Sequence, residues 1–202
     1  MIFSVMVTAF VLVAPVELPD KTMFATLVLA SRFRPTPVLT GVASAFAVQV
    51  AIAVAAGSLL ALLPREFVAL GVAVLFAVGA VLLWRSADDA GEDRDEDAAS
   101  AVAHKDWPAW RIALTAFGIT FLAEWGDLSQ LATAGLAARY DEPLSVFVGA
   151  FGALLLIASL AVFVGAKLVT RLPIGLVRRT AAVLFAVFAV PAAYEAVTAF
   201  AG

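Results

Sequence analysis

The chain has 202 residues, of which 63% are hydrophobic and only 14% are charged. Soluble domains average about 45–50% apolar residues, so this composition excludes an ordinary soluble domain and indicates a membrane protein. The absence of cysteine excludes disulfides and thiolate sites, and the single histidine excludes a multi-histidine metal site. Nothing in the composition or in the net charge of −3 points to nucleic-acid binding.

Six apolar runs predict six transmembrane helices, since about 20 helical residues cross the hydrocarbon core of a bilayer. An open sheet cannot cross lipid, and the runs lack the alternation of barrel strands. We therefore predict an all-α integral membrane protein. In chain order the runs cover residues 2–31, 38–63, 67–84, 112–138, 144–166 and 176–200.

The distribution of basic residues predicts the orientation. The loops after the first, third and fifth runs carry ten Lys and Arg residues, whereas the opposite loops carry only Arg65 and Arg139. By the positive-inside rule, both termini face outward and the segment between the third and fourth runs is cytoplasmic. That segment carries eight acidic residues between Ser86 and Asp106. We interpret it as a solvated linker, with a cation-collecting or regulatory segment as the alternative.

The two halves of the chain repeat one another at an offset of 107 residues. Each half has three spans, an odd number, so the second half must enter the membrane inverted, as in many secondary transporters. We predict a first three-helix repeat over residues 1–85, a cytoplasmic linker over 86–108 and a second, inverted repeat over 109–202. The offset aligns Glu17, Pro19, Asp20 and Thr22 with Glu124, Gly126, Asp127 and Ser129.

The four repeated acids lie near the midpoints of their apolar runs, at mid-bilayer depth. A charged side chain there costs about 2.5–3.5 kcal/mol on insertion scales, so these carboxylates must be neutralised. The spacing of three residues puts Glu17 with Asp20, and Glu124 with Asp127, on one face of a helix. Two inverted halves can therefore present all four acids to one cavity.

The polar residues beside these acids complete a hard oxygen site. Hydroxyl and amide oxygens at Thr22, Ser129 and Gln130 join the carboxylates, a set suited to Ca²⁺, Mn²⁺ or Mg²⁺. Lys21 balances part of the negative charge, and crowded carboxylates can take up protons when the metal leaves, which favours exchange with H⁺. At matched positions, Pro19 and Gly126 can break the helix and free backbone carbonyls. A lone amide in the second run, Gln49, either bonds to a neighbouring helix or lines the pathway.

The segments Glu17-Leu-Pro-Asp-Lys-Thr22 and Glu124-Trp-Gly-Asp-Leu-Ser-Gln130 resemble the duplicated Glu-x-Gly-Asp-(Lys/Arg)-(Thr/Ser) signature of the Gdt-type manganese/calcium transporter family. The resemblance covers essentially the whole chain. It implies a multi-pass cation transporter, in bacteria a manganese exporter of the inner membrane, with metal-binding acids at Glu17, Asp20, Glu124 and Asp127. Two positions depart from the signature: Pro19 replaces a Gly, and Leu128 replaces a Lys or Arg.

The function predicted is secondary active transport, not enzymatic catalysis. We expect export of a divalent cation, with Mn²⁺ first and Ca²⁺ second, in exchange for protons and without a resident cofactor. The expected partners are this cation, protons and the lipid bilayer, and both a monomer and a homodimer remain open. One alternative is an exporter of a small organic cation or amino acid. A remote alternative is an intramembrane lipid-phosphate hydrolase, which would need more positive groups at depth than Lys21.

Overall fold

A computed structural model of the protein describes residues 1–18, 21–87, 107–164 and 174–201, without the side chains at 21, 22, 24, 164, 174 and 201. Within these ranges the chain is built from helices. They are α1 (Phe3–Glu17), α2 (Lys21–Arg32), α3 (Pro35–Leu60), α4 (Arg65–Ser86), α5 (Ala109–Ala123), α6 (Leu128–Tyr140), α7 (Pro143–Val164) and α8 (Ile174–Ala201).

Among the described residues, four helices are long and apolar enough to cross a membrane. They contain the stretches Pro35–Leu60, Arg65–Ser86, Pro143–Phe163 and Gly175–Phe200. These stretches fall within α3, α4, α7 and α8 and coincide with the second, third, fifth and sixth apolar runs. The predicted all-helical membrane protein is confirmed at this level.

The first and fourth apolar runs are each divided into two shorter helices. In place of one helix over residues 2–31 the structure has α1 and α2, and in place of one over 112–138 it has α5 and α6. Counting each run as one continuous helix was wrong, but a break was expected at Gly126, and that residue lies between α5 and α6. At 1.5 Å per residue, the 15 residues of α1 or α5 extend only about 22 Å, less than the hydrocarbon thickness of about 30 Å.

The helices of the two halves pack mainly against each other. The largest contact joins α4 to α8, where Phe76 and Phe185 are fully buried with ring centroids 5.2 Å apart. Next come α3 against α5 and α6, and α7 against α1. Within one half, the described ranges show only smaller contacts, those of α2 with α3 and of α6 with α7. Each half therefore forms its core with the other half.

Two glycines permit equivalent close approaches between the halves. A Cβ added to Gly41 of α3 would overlap the backbone carbonyl oxygen of Ala113 in α5. A Cβ added to Gly149 of α7 would overlap that of Met6 in α1 in the same way. Met6 and Ala113 are 107 positions apart, the offset of the sequence repeat. The missing side chains let these backbones touch, and van der Waals packing of this kind holds helices together in lipid.

Candidate cation site

Three carboxylates from both halves of the chain converge inside the bundle. Glu17, Glu124 and Asp127 each offer one oxygen, and these three oxygens all lie within 4.8 Å of one another. Glu17 and Glu124 are only 3% and 4% exposed, and Asp127 is partly buried. The cluster combines a group from α1 with two groups from the α5–α6 break, so neither half could form it alone.

The helix breaks deliver these groups to one place. Glu17 is the last residue of α1, and Glu124 directly follows the end of α5. Asp127 precedes α6 as its N-cap residue. Glu124 and Asp127 are thus brought near each other across an interruption. The expectation that their spacing puts them on one helical face was wrong for this pair.

Local hydrogen bonds fix the interruption between α5 and α6. The Oδ2 atom of Asp127 accepts a hydrogen bond from the backbone N–H of Ser129 at 3.1 Å, which satisfies a donor that the start of α6 leaves open. Gly126 has a φ of +79°, a left-handed conformation that glycine adopts without strain. Its N–H donates to Oε1 of Gln130 at 2.8 Å. Gln130, predicted as a ligand, therefore already uses its oxygen to hold the turn.

A small cavity of about 10 Å³ lies beside the acids. This is about the space that one water molecule occupies. Polar groups from both halves and apolar side chains of α3 and α7 share its wall. The lining residues are Glu17, Phe46, Gln49, Val50, Glu124, Ser129, Gln130, Thr133 and Leu154.

Two lining residues outside the predicted ligand set are polar and buried. Gln49 of α3 donates from Nε2 to the backbone carbonyl oxygen of Phe121 at 3.1 Å, so it both bonds to a neighbouring helix and lines the cavity. Thr133 follows Ser129 by one helical turn and donates its hydroxyl to the Ser129 carbonyl oxygen at 2.7 Å. In the sequence, the isolation of Gln49 as an amide in an apolar run already indicated a role inside the bundle. The position of Thr133, one turn after a motif hydroxyl, was the corresponding signal for that residue.

Several predicted site residues lie outside the description. Pro19 and Asp20 fall in the gap between α1 and α2, and the side chains of Lys21 and Thr22 are likewise not described. The residues of the acidic linker between 88 and 106 also lie outside it.

The position that departs from the family signature, Leu128, belongs to the apolar core. It packs against the buried cluster, with Cδ1 3.1 Å from the place that a Cβ on Gly79 of α4 would occupy. A leucine is therefore accommodated at this position by the small residue opposite it.

A second, larger cavity of about 690 Å³ lies where α3 ends and α4 begins. Its wall includes Arg139 and Glu195, which form an ion pair with a 2.8 Å separation. None of the predicted site residues lines it. Two of the three clustered acids, Glu17 and Glu124, line the small cavity, and Asp127 offers an oxygen within 4.8 Å of theirs. The acidic cluster of the described residues therefore belongs with the small cavity.

The oxygen spacing of the cluster suits one shared cation. Oxygens on opposite sides of a Ca²⁺ ion are about 4.6–5.2 Å apart, given metal–oxygen distances of 2.3–2.6 Å. Three ionised carboxylates at this spacing repel one another strongly in an apolar interior, and a bound divalent cation removes that repulsion. The described set contains only oxygen ligands, as hard cations prefer.

The apolar helices and the buried oxygen cluster define the class of the protein: a multi-pass membrane protein built to handle cations. The chain matches the family described as "Divalent cation/proton antiporter GDT1" over residues 5–91 and 112–200. It therefore belongs to this family of transporters, and the resemblance found in the sequence is confirmed. Each of the two matched ranges contains one copy of the acidic motif.

Several curated relatives match over most of their own length. A GDT1-like protein of Synechocystis sp. is 33% identical over 199 residues, which cover 92% of this chain and 96% of the relative. A protein of Vibrio cholerae named "Putative manganese exporter" is 31% identical over 198 residues, covering 96% and 92%. GDT1-like protein 5 of Oryza sativa is 30% identical over 203 residues, covering 86% and 87%. No solved structure matches the chain.

Proposed function

We propose that this protein exports Mn²⁺ across the bacterial inner membrane in exchange for protons. The cation binds at mid-bilayer to Glu17, Glu124 and Asp127, with Asp20 as the fourth acid and hydroxyls of Thr22 and Ser129 beside them. Alternating exposure of this one site to the two sides of the membrane moves the ion.

The observation that carries the proposal is the convergence of three carboxylate oxygens within 4.8 Å at the end of α1 and across the α5–α6 break. Buried acids are costly in a membrane protein and mark ion pathways and proton relays. Here the acids come from separate parts of the chain and bring their oxygens within reach of one ion, which is what a binding site requires. A structural hydrogen-bond role would need only one of them.

Charge balance supports coupling to protons. Three described carboxylates carry three negative charges, and a divalent cation neutralises only two of them. When the ion leaves, the cluster must gain protons or remain strongly repulsive in an environment of low polarity. Exchange of one cation for protons therefore keeps the site close to neutral in both of its transport states. The family description, a divalent cation/proton antiporter, supports the same coupling.

The assignment of Mn²⁺ over Ca²⁺ is supported by the name of the Vibrio cholerae relative, which also supports export as the direction. The ligand chemistry accepts both ions, since each binds carboxylate and carbonyl oxygens. Ca²⁺ is therefore the second candidate substrate.

The proposed architecture is an inverted repeat of six spans, with α1–α2 and α5–α6 each forming one interrupted span. The close approaches at Gly41 and Gly149 support it, because their carbonyl partners Ala113 and Met6 are equivalent at the 107-residue offset and the glycines themselves lie 108 residues apart. In this arrangement the termini face outward and residues 86–108 form a cytoplasmic linker. Interrupted helices at the midplane are typical of transporters with such repeats.

The size of the acidic cavity argues against an organic substrate at these residues. Sites for small organic molecules typically have volumes of about 300–1,000 Å³, whereas this cavity has about 10 Å³. An organic cation or amino acid would have to bind elsewhere, and its transport would not depend on Glu17.

Uptake into proteoliposomes tests the proposal. Purified protein is reconstituted, and entry of Mn²⁺ and of Ca²⁺ is followed with and without an imposed pH gradient, beside a Glu17→Gln variant. We expect Mn²⁺ movement that responds to the pH gradient and is lost in the variant. Transport of Mn²⁺ at the full rate by Glu17→Gln would contradict the assigned site, and transport of neither ion under any gradient would contradict the function.

A further inference from the structure

We infer that the amide oxygen of Gln49 is an additional ligand of the transported cation and helps to set its selectivity. The inference rests on the proposed function, because it concerns the same cavity. It adds a neutral oxygen from α3, outside both acidic motifs, to the acids from α1 and the α5–α6 break.

The position of Gln49 brings its side chain to the acids. The residue lies near the middle of α3 and is only 4% exposed. It lines the same 10 Å³ cavity as Glu17 and Glu124. In a cavity of this size, a cation that contacts the carboxylates of Glu17 and Glu124 is also within reach of the Gln49 side chain.

Hydrogen bonding determines which end of the amide remains for the cation. The partner of Gln49 is the backbone carbonyl oxygen of Phe121, and a carbonyl oxygen can only accept a hydrogen bond. The nitrogen Nε2 must therefore face Phe121, and Oε1 is the other terminal atom of the side chain. Gln130 has the opposite arrangement, since its Oε1 accepts from the Gly126 N–H. Of these two amides on the cavity wall, Gln49 has the oxygen not engaged by the backbone.

A neutral oxygen has a distinct chemical effect on the site. Amide carbonyls are regular ligands of Ca²⁺, which takes six to eight oxygens, and they add coordination without adding charge. The described acids already exceed the charge of a divalent ion. A further ligand without charge therefore raises the coordination number while leaving the number of exchanged protons unchanged.

The bond to Phe121 gives Gln49 a second possible role that the test must separate. Phe121 lies in the last turn of α5, where helix carbonyls lack partners, and Glu124 follows directly after that helix. Gln49 could thus act only as a positioning residue for Glu124. Gln49→Glu and Gln49→Met both remove the N–H donor to Phe121, but only Gln49→Glu keeps an oxygen at the cavity.

Mn²⁺ binding by the full-length protein in detergent distinguishes these roles. Titrations followed by the electron paramagnetic resonance signal of free Mn²⁺ give the affinity without requiring transport. We expect Gln49→Met to weaken Mn²⁺ binding by about 10-fold or more, comparable to losses at metal-site supporting residues. Gln49→Glu should bind Mn²⁺ at least as tightly as the natural protein. The ratio of Mn²⁺ to Ca²⁺ affinity, measured by competition, should change in both variants.

Three results would overturn the inference. They are unchanged Mn²⁺ affinity in Gln49→Met, equal losses in Gln49→Met and Gln49→Glu, or an unchanged affinity ratio in both variants. If Gln49→Met is not recovered folded, Gln49→Ala takes its place in the same comparison. Ser145→Ala, which removes a fully buried hydroxyl outside the cavity, is the matched control and should leave Mn²⁺ affinity unchanged. Failure of the proposed function is seen separately, as unchanged Mn²⁺ binding in Glu17→Gln.

Discussion

Asp127 combines two roles that a pair of substitutions can separate. Its Oδ2 atom caps α6 by accepting from the Ser129 N–H, and its carboxylate belongs to the three-acid cluster. Asparagine caps a helix about as well as aspartate, whereas alanine does not cap. Asp127→Asn therefore removes the charge and keeps the cap, and Asp127→Ala removes both.

The two roles of Asp127 affect different quantities, the thermal stability of the protein and its affinity for Mn²⁺. Losing the cap costs about 1 kcal/mol of stability, which corresponds to a fall in Tm of about 2–4 °C for a chain of this size. Outer residues around metal sites account for about 10–100-fold in affinity. Since Asp127 offers its oxygen directly to the cluster, we expect Mn²⁺ affinity to fall by about 100-fold or more in both variants.

Thermal unfolding in detergent without metal, together with Mn²⁺ titration, provides the assay. Both variants remove the same charge from the acidic cluster, so their comparison isolates the cap. Asp127→Ala should unfold about 2–4 °C below Asp127→Asn, and both should bind Mn²⁺ poorly. If Asp127→Asn retains natural Mn²⁺ affinity, the carboxylate is not a ligand. If Asp127→Ala is as stable as Asp127→Asn, the cap has no energetic role.

Three further outcomes follow from the packing, the site and the proposed topology. Gly41→Ala should lower the free energy of unfolding by about 1–3 kcal/mol because its Cβ meets backbone, while Gly118→Ala, with no described atom within 4 Å of its Cβ, should not; chemical denaturation compares them. At a concentration 100 times its dissociation constant, Mn²⁺ should stabilise the natural protein by about 2.7 kcal/mol in thermal unfolding, and Glu17→Gln should show much less. The chain has no cysteine, so Leu62→Cys and Thr36→Cys provide single labelling sites. An impermeant maleimide should label intact cells at position 62 and should reach position 36 only after permeabilisation, and the reverse pattern would contradict the proposed orientation.

The long apolar runs were the most predictable part of the fold. α3, α4, α7 and α8 follow their runs to within a few residues, because uninterrupted apolar sequence in lipid leaves helix as the stable conformation. A break at Gly126 could be anticipated from the repeated motif, whereas the residues at which α5 ends and α6 begins were harder to predict. Pro15 lies inside α1 without ending it, so a proline in an apolar run does not by itself show whether a helix bends or stops.

The acids of the site could be proposed from their repetition and depth, but their environment could not. The contact between Gln49 and Phe121 joins residues 72 positions apart in the chain, and it depends on how α3 packs on α5. The cap formed by Asp127 likewise exists only because α5 ends at Ala123. Sequence periodicity describes single helices, whereas these features arise from the relation between helices.

The interleaving of the two halves has a consequence for synthesis of the protein. The principal partners of α1 are in the second half, and Gly149 must be made before the backbone around Met6 gains its close contact. During translation, Glu17 therefore lacks its partners from the second half until more than a hundred further residues have been added. A nascent chain carrying only the first half would hold an incomplete core, a natural substrate for membrane quality control. The core and the acidic cluster are thus completed in the same late step of synthesis, when the second half is added.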